Sequence, residues 1–125
     1  MDRSEEFWLS LDRLVDTCRV VIDRPMGSRH PRYPEMVYPL DYGYLEGTTS
    51  ADGAGIDVWL GISGEHRLTA VIVTVDSLKR DSEIKLMLGC IETELQTALG
   101  FHQGNDMRAL LVRRSGTEGD NEQHT

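Results

Sequence analysis

The sequence predicts a β-rich α+β domain, and three observations predict it. First, short runs rich in valine, isoleucine and leucine recur at Cys18–Asp23, Ile56–Ile62, Leu68–Val75, Ile84–Cys90 and Met107–Arg113, with Gly, Pro or Asp near their ends. Second, only the N-terminal stretch and Ile91–Gly100 carry apolar residues at helical spacing. Third, the 125 residues are enough for one domain with a proper core. The domain is expected over residues 1–114. Residues 115–125 are polar, acidic and short of apolar side chains, and are expected to be a disordered tail.

Taken in order, Ser4-Glu-Glu followed by Phe7, Leu11 and Leu14 predicts a short amphipathic helix capped by Ser4, its early glutamates suiting the positive end of the dipole. Cys18–Asp23 predicts a strand ended by Pro25. Arg24 to Glu35 holds Pro25, Pro31 and Pro34, so it cannot be a regular helix or central strand. It also carries Arg24, Arg29, Arg32 and His30, a basic cluster in an acidic chain. Leu68–Val75 is apolar throughout, which predicts a strand deep in a sheet or at an interface. Ile91, Leu95 and Leu99 make one helix face, and Gly100 is a good stop.

The net charge is −8, from 21 acidic and 13 basic residues, which argues against nucleic-acid binding. It does not argue against a phosphate substrate, because bound metal ions reverse the local sign of a site. The N-terminus is acidic without an apolar core, so no signal peptide is expected, and no apolar run is long enough for a membrane span. Cys18 and Cys90 are then expected as free thiols in a reducing cytoplasm.

The centre of the chain is Tyr38 to Trp59. Three tyrosines, Tyr38, Tyr42 and Tyr44, precede a Gly/Thr/Ser loop and the segment Asp52-Gly-Ala-Gly-Ile-Asp57. Two carboxylates separated by glycines can turn toward one point, and a hard cation such as Mg²⁺ wants oxygen ligands. The same residues also read as a hairpin turn, since Asp-Gly is a turn dipeptide. Asp76 and Asp81 form a second spaced pair after an apolar run, and a charged surface loop is its plain alternative.

The string from Tyr38 through Asp57-Val58 resembles the soluble inorganic pyrophosphatases of the single-domain β-barrel family, whose signature is a tyrosine-rich segment followed by an Asp-Gly-Asp-Pro-x-Asp-Val loop. The resemblance covers roughly Val20 to Val112. It implies an OB-like closed β-barrel with a C-terminal helix packed on it and a short N-terminal helix. It implies a homo-oligomer, and Mg²⁺, two or more ions with Mn²⁺ as an alternative, held by Asp52, Asp57, Asp76 and Asp81. Asp57, Tyr42 and Lys85 are the implied catalytic residues; Arg29, Arg32, Tyr42, Lys85 and His102 are the implied substrate contacts. The implied reaction is hydrolysis of inorganic pyrophosphate to two phosphates.

Several positions depart from that pattern. Ala54 stands where the family has the middle aspartate, the base for the attacking water. Glu83 stands at the lysine position, with Lys85 two residues on; strand alternation puts both on one face. A hairpin carrying a phosphate-binding arginine is missing before Tyr38, so Arg29 or Arg32 would supply that guanidinium. Phe101-His102 replaces a tyrosine-lysine pair. Two other functions therefore stay open: hydrolysis of another phosphoanhydride or phosphoester, and a non-catalytic phosphate-ligand or protein-interaction module on the same fold.

Overall fold

A computed structural model describes residues 2–114; the expected acidic tail at 115–125 lies outside the described residues. Helix α1 spans Arg3–Thr17 and α2 spans Glu92–Phe101. Six strands are present: β1 Val20–Arg24, β2 Asp41–Leu45, β3 Asp57–Leu60, β4 Leu68–Asp76, β5 Asp81–Leu88 and β6 Met107–Arg113. They form one sheet in the order β1-β2-β3-β5-β4-β6. All neighbours are antiparallel except β3 and β5.

The sheet is open, so the expected closed barrel is replaced by a mixed α+β sandwich with β1 and β6 as edges. The physical reason lies in the segment that follows β1. Residues 25–40 carry all four prolines, and the chain folds back there through Gly27–Tyr38 and His30–Met36 hydrogen bonds with one isolated bridge, Arg29 to Val37, instead of adding strands. Each face of the sheet is then covered by its own helix. Trp8, Leu11 and Val15 of α1 pack with Leu45, Val58, Val71, Leu86 and Leu88 on one face. Leu95 and Ala98 of α2 pack with Trp59, Ala70, Ile72 and Met87 on the other. Burying side chains of this size stabilises the fold by roughly 1.5–3 kcal/mol each.

Local chemistry sets the element ends. Asp2, not Ser4, caps α1, its carboxylate accepting from the Glu5 amide at 2.8 Å. The buried stripe of α1 is Trp8, Leu11 and Val15, while Phe7 stays half exposed with its ring edge-on to Trp8. Arg114 grips Asp12 through two 2.8 Å hydrogen bonds and ties α1 to the end of β6. On α2, Ile91 is exposed at the start of the helix, and the helix continues through Gly100 to Phe101. Glu94 is buried and satisfied, accepting from the Ile91 and Ile62 amides at 2.9 Å each. Both cysteines are unpaired. No helix among the described residues is long and apolar enough to cross a membrane.

The strand β2 was absent from the sequence expectation, which treated its tyrosines only as a motif. Gly43 explains the motif's spacing. It faces the β1 backbone so closely that any Cβ there would strike the Val21 carbonyl. Only glycine lets β2 lie against the bulged β1, and Tyr42 next to it packs on the α2-side core.

Candidate active site

A cleft of about 580 Å³ opens on the α2 face. Its walls are the looped-back segment around His30 and Tyr38, the β4–β5 turn, and the chain following α2. Strand periodicity decides what lies on its floor. Asp81, Glu83 and Lys85 alternate onto one face of β5. The parallel register sets Asp57 beside Lys85, and the antiparallel register sets Thr74 beside Glu83 and Asp76 beside Asp81.

Lys85 is the centre of the floor. It is only 6% exposed, and its Nζ donates to Asp57 Oδ2 at 2.6 Å and Glu83 Oε1 at 2.7 Å. The ammonium also lies 5.8 Å from the centre of the Tyr42 ring. Burial by itself pulls the Lys85 pKa down, but Tyr42, Asp57 and Glu83 outweigh it and raise it, so the lysine stays charged. Burial pushes the Glu83 carboxyl up, against the opposing pull of Lys85. Burial likewise raises Tyr42, which stays a neutral hydroxyl near neutral pH.

An aromatic cluster supports this floor from below. Trp59 is fully buried, with Tyr42 4.6 Å and Phe101 5.4 Å away between ring centres. Its Nε1–H donates to His102 Nε2 at 3.1 Å. His102 lines the cleft but is 6% exposed, and burial, then the nearby Lys85 charge, lower its pKa to about 3. It is therefore a neutral acceptor, not a cation for phosphate.

The remaining sequence candidates are distributed unevenly. Asp57 and Tyr42 meet at Lys85, as above. Asp52 sits on the exposed 50–55 loop, where Ser50 and the Ala54 amide, and then Glu83, hold its carboxyl below the usual range. Asp76 lines the cleft but accepts from the Leu78 and Lys79 amides at 3.0 and 2.9 Å, fastening the turn. Asp81 lines the cleft and is exposed. Arg29 turns away and donates to the Pro34 carbonyl at 2.9 Å.

The sequence reading missed part of the basic wall. Lys79 lines the cleft, and burial, then the charges of Arg24, Lys79 and Arg32, lower the pKa of His30. Burial raises the pKa of Tyr38, against the opposing pull of the Arg24 charge. Arg24 belonged to a visible basic cluster, but nothing in the sequence singled it out over Arg29. Lys79 read as part of a surface turn.

The carboxylates as arranged do not fit a metal ion held by the protein alone. Among the described residues, no group of three or more His, Cys, Asp or Glu side chains is placed to hold one. Asp57 and Glu83 are committed to Lys85, and Asp76 to backbone amides. Mg²⁺ is commonly held by only one or two carboxylates together with substrate phosphates, and Asp81 remains exposed in the cleft for such a complex.

The fold is pyrophosphatase-like. The chain is similar to solved inorganic pyrophosphatases from Neisseria gonorrhoeae (TM-score 0.58, 16% identity, covering 82% of this chain and 84% of that one) and Helicobacter pylori (0.55, 15%, 83% and 88%). It is similar also to one from Coxiella burnetii (0.52, 14%, 83% and 90%). No family model and no curated protein matches the sequence.

Proposed function

We infer that this protein binds inorganic pyrophosphate as its Mg²⁺ complex and hydrolyses it to two phosphates. The observation that carries the reading is one cleft, in a pyrophosphatase-like fold, where the carboxylates of Asp76, Asp81 and Glu83 share the lining with the ammonium groups of Lys79 and Lys85. Lys79 and Lys85 supply positive charge for phosphate oxygens. The metal, entering with the substrate, would polarise the phosphoryl oxygens. Asp81 would meet that complex at the floor, with Asp52 and Asp76 at its margins. Asp57 and Glu83 hold the Lys85 ammonium toward the substrate, and the Tyr42 hydroxyl stands beside it. Lys85 would stabilise the leaving phosphate as water attacks the other phosphorus and the bridging P–O bond breaks. Glu83, with its raised proton affinity, is the residue assigned to accept the water's proton. We place this activity in the cytoplasm, in a homo-oligomer.

A second reading, a phosphate-binding module without turnover, is favoured by Ala54. A missing general base costs about 10²–10⁴-fold in rate. Phosphate release from pyrophosphate in excess Mg²⁺ separates the readings. Turnover that falls at least about tenfold in Tyr42→Phe and stays unchanged in the α1 surface variant Glu6→Gln supports the first. Release from nucleoside triphosphates but not from pyrophosphate would move the substrate to another phosphoanhydride. No release from any of them, with calorimetric binding of pyrophosphate, would establish the second.

A further inference from the structure

The floor of the cleft holds a buried cation of the protein's own. Lys85 Nζ lies between two carboxylates that come from different strands, at 2.6 and 2.7 Å. Asp57 reaches it from β3 across the parallel pair, and Glu83 from the same face of β5. The Asp57 and Glu83 side chains are themselves mostly covered, at 26% and 17% exposure. Asp52, on the 50–55 loop, adds to the negative influence felt by the Glu83 carboxyl. The surrounding negative charge is thus arranged around one point, and an ammonium fills that point.

We propose that Lys85 is the resident cation of this site, standing between Asp57 and Glu83 where a divalent ion would otherwise bind, so that the protein takes up divalent metal only together with phosphate. This deepens the reading above and rests on its placement of the phosphate site in this cleft. Two physical arguments support it. A divalent ion needs oxygens at about 2.0–2.6 Å, and the ammonium already occupies the space between these carboxylates. A second cation beside a buried ammonium would be repelled within a low-dielectric floor, whereas a metal–phosphate complex brings its own negative charge and oxygen ligands. Removing the ammonium leaves Asp57 and Glu83 uncompensated, with Asp52 beside Glu83, which is a divalent-ion site in waiting.

The test is equilibrium binding of Mn²⁺ alone, followed by electron paramagnetic resonance, with no phosphate compound present. The wild-type protein is expected to show no saturable binding up to about 1 mM. The volume-matched variant Lys85→Met is expected to bind one ion at least about tenfold more tightly, and Asp57→Asn on that background to lose it. Wild-type binding of Mn²⁺ alone that Asp57→Asn abolishes would overturn the proposal, because Asp57 would then be free to ligate. A Lys85→Met protein with wild-type circular dichroism and no Mn²⁺ binding would overturn it as well. Saturable wild-type binding of Mn²⁺ alone below about 1 mM would overturn it too, so the wild-type titration decides even where a variant does not fold. Because the readout is metal binding without substrate, it is separate from the outcome of the phosphate-release assay.

Discussion

His102 gives the structure its sharpest pH dependence. Its folded pKa of about 3 lies well below the ordinary histidine value of 6.5. A group with a depressed folded pKa binds its proton more weakly in the folded state than in the unfolded one. For a histidine, that stability is complete above pH 6.5 and is lost as pH falls from 6.5 toward 3. Each pH unit inside that window costs about 1.4 kcal/mol, so acidification to pH 5 removes about 2 kcal/mol. His30 is lowered too and adds loss of the same sign. Glu83 acts oppositely: its raised pKa stabilises at low pH and is lost as pH rises. The variant His102→Asn isolates one group, because an asparagine oxygen can still accept from Trp59 while nothing titrates. Urea unfolding at pH 7.5 and pH 5 of both proteins gives the double difference, expected at about 2 kcal/mol less acid loss in the variant. Equal acid losses in the two proteins, or a His102 titration midpoint near 6.5 by NMR, would refute the account of its burial.

Two further outcomes follow from the same geometry. Asp57→Asn and Glu83→Gln each leave Lys85 one carboxylate, so each should cost about 1–2 kcal/mol in urea unfolding; the double variant strands the ammonium and should exceed their sum, so strict additivity would show that the two carboxylates do not share one charge. Gly43→Ala places a methyl against the Val21 carbonyl, and a loss above about 4 kcal/mol, or failure to fold, is expected by thermal denaturation; a Tm within a few degrees of wild type would mean that β1 is not held against β2 as described.

Most elements were legible because their signals are local. The runs Leu68–Val75 and Met107–Arg113 declare themselves as strands, and β4 and β6 occupy nearly those residues. What failed depended on contacts far along the chain. Asp41–Leu45 contains a glycine between tyrosines and reads as a motif until the close approach of Val21 is seen. Closure of the sheet was inherited from the resemblance and depended on strands that the proline-rich 25–40 segment does not build. Phe7 and Trp8 are adjacent aromatic residues, and it is Trp8 that lies on one stripe with Leu11 and Val15 against the sheet, which the spacing of Phe7 with Leu11 and Leu14 did not reveal. At the site, Tyr42, Asp57 and Lys85 were named through the resemblance, and the structure brings the three together. The partners that occupy Asp76 and Arg29, backbone groups in both cases, carry no sequence signature.

Lys85 stands two residues beyond the position that the resemblance implies for a lysine, and the site's charge arrangement follows from where it stands. Strand alternation keeps residues 83 and 85 on one face, so the move preserves direction. It does not preserve position: two residues along a strand are about 6.6 Å. That step carries the ammonium to the row where β5 lies opposite Asp57, and it leaves a carboxylate one row back. A lysine at position 83 would lie across from Thr74, one row from Asp57. At position 85 it is bound by Asp57 and by Glu83 at once, so one ammonium offsets part of the charge of both carboxylates. Swapping the two residues, Glu83→Lys with Lys85→Glu, keeps composition and net charge and should restore a carboxylate beside Asp57. Mn²⁺ alone should then bind at least about tenfold more tightly than to the wild-type protein, with the fold monitored by circular dichroism. A folded swap that binds Mn²⁺ no better than wild type would mean that the row occupied by the lysine does not control the site.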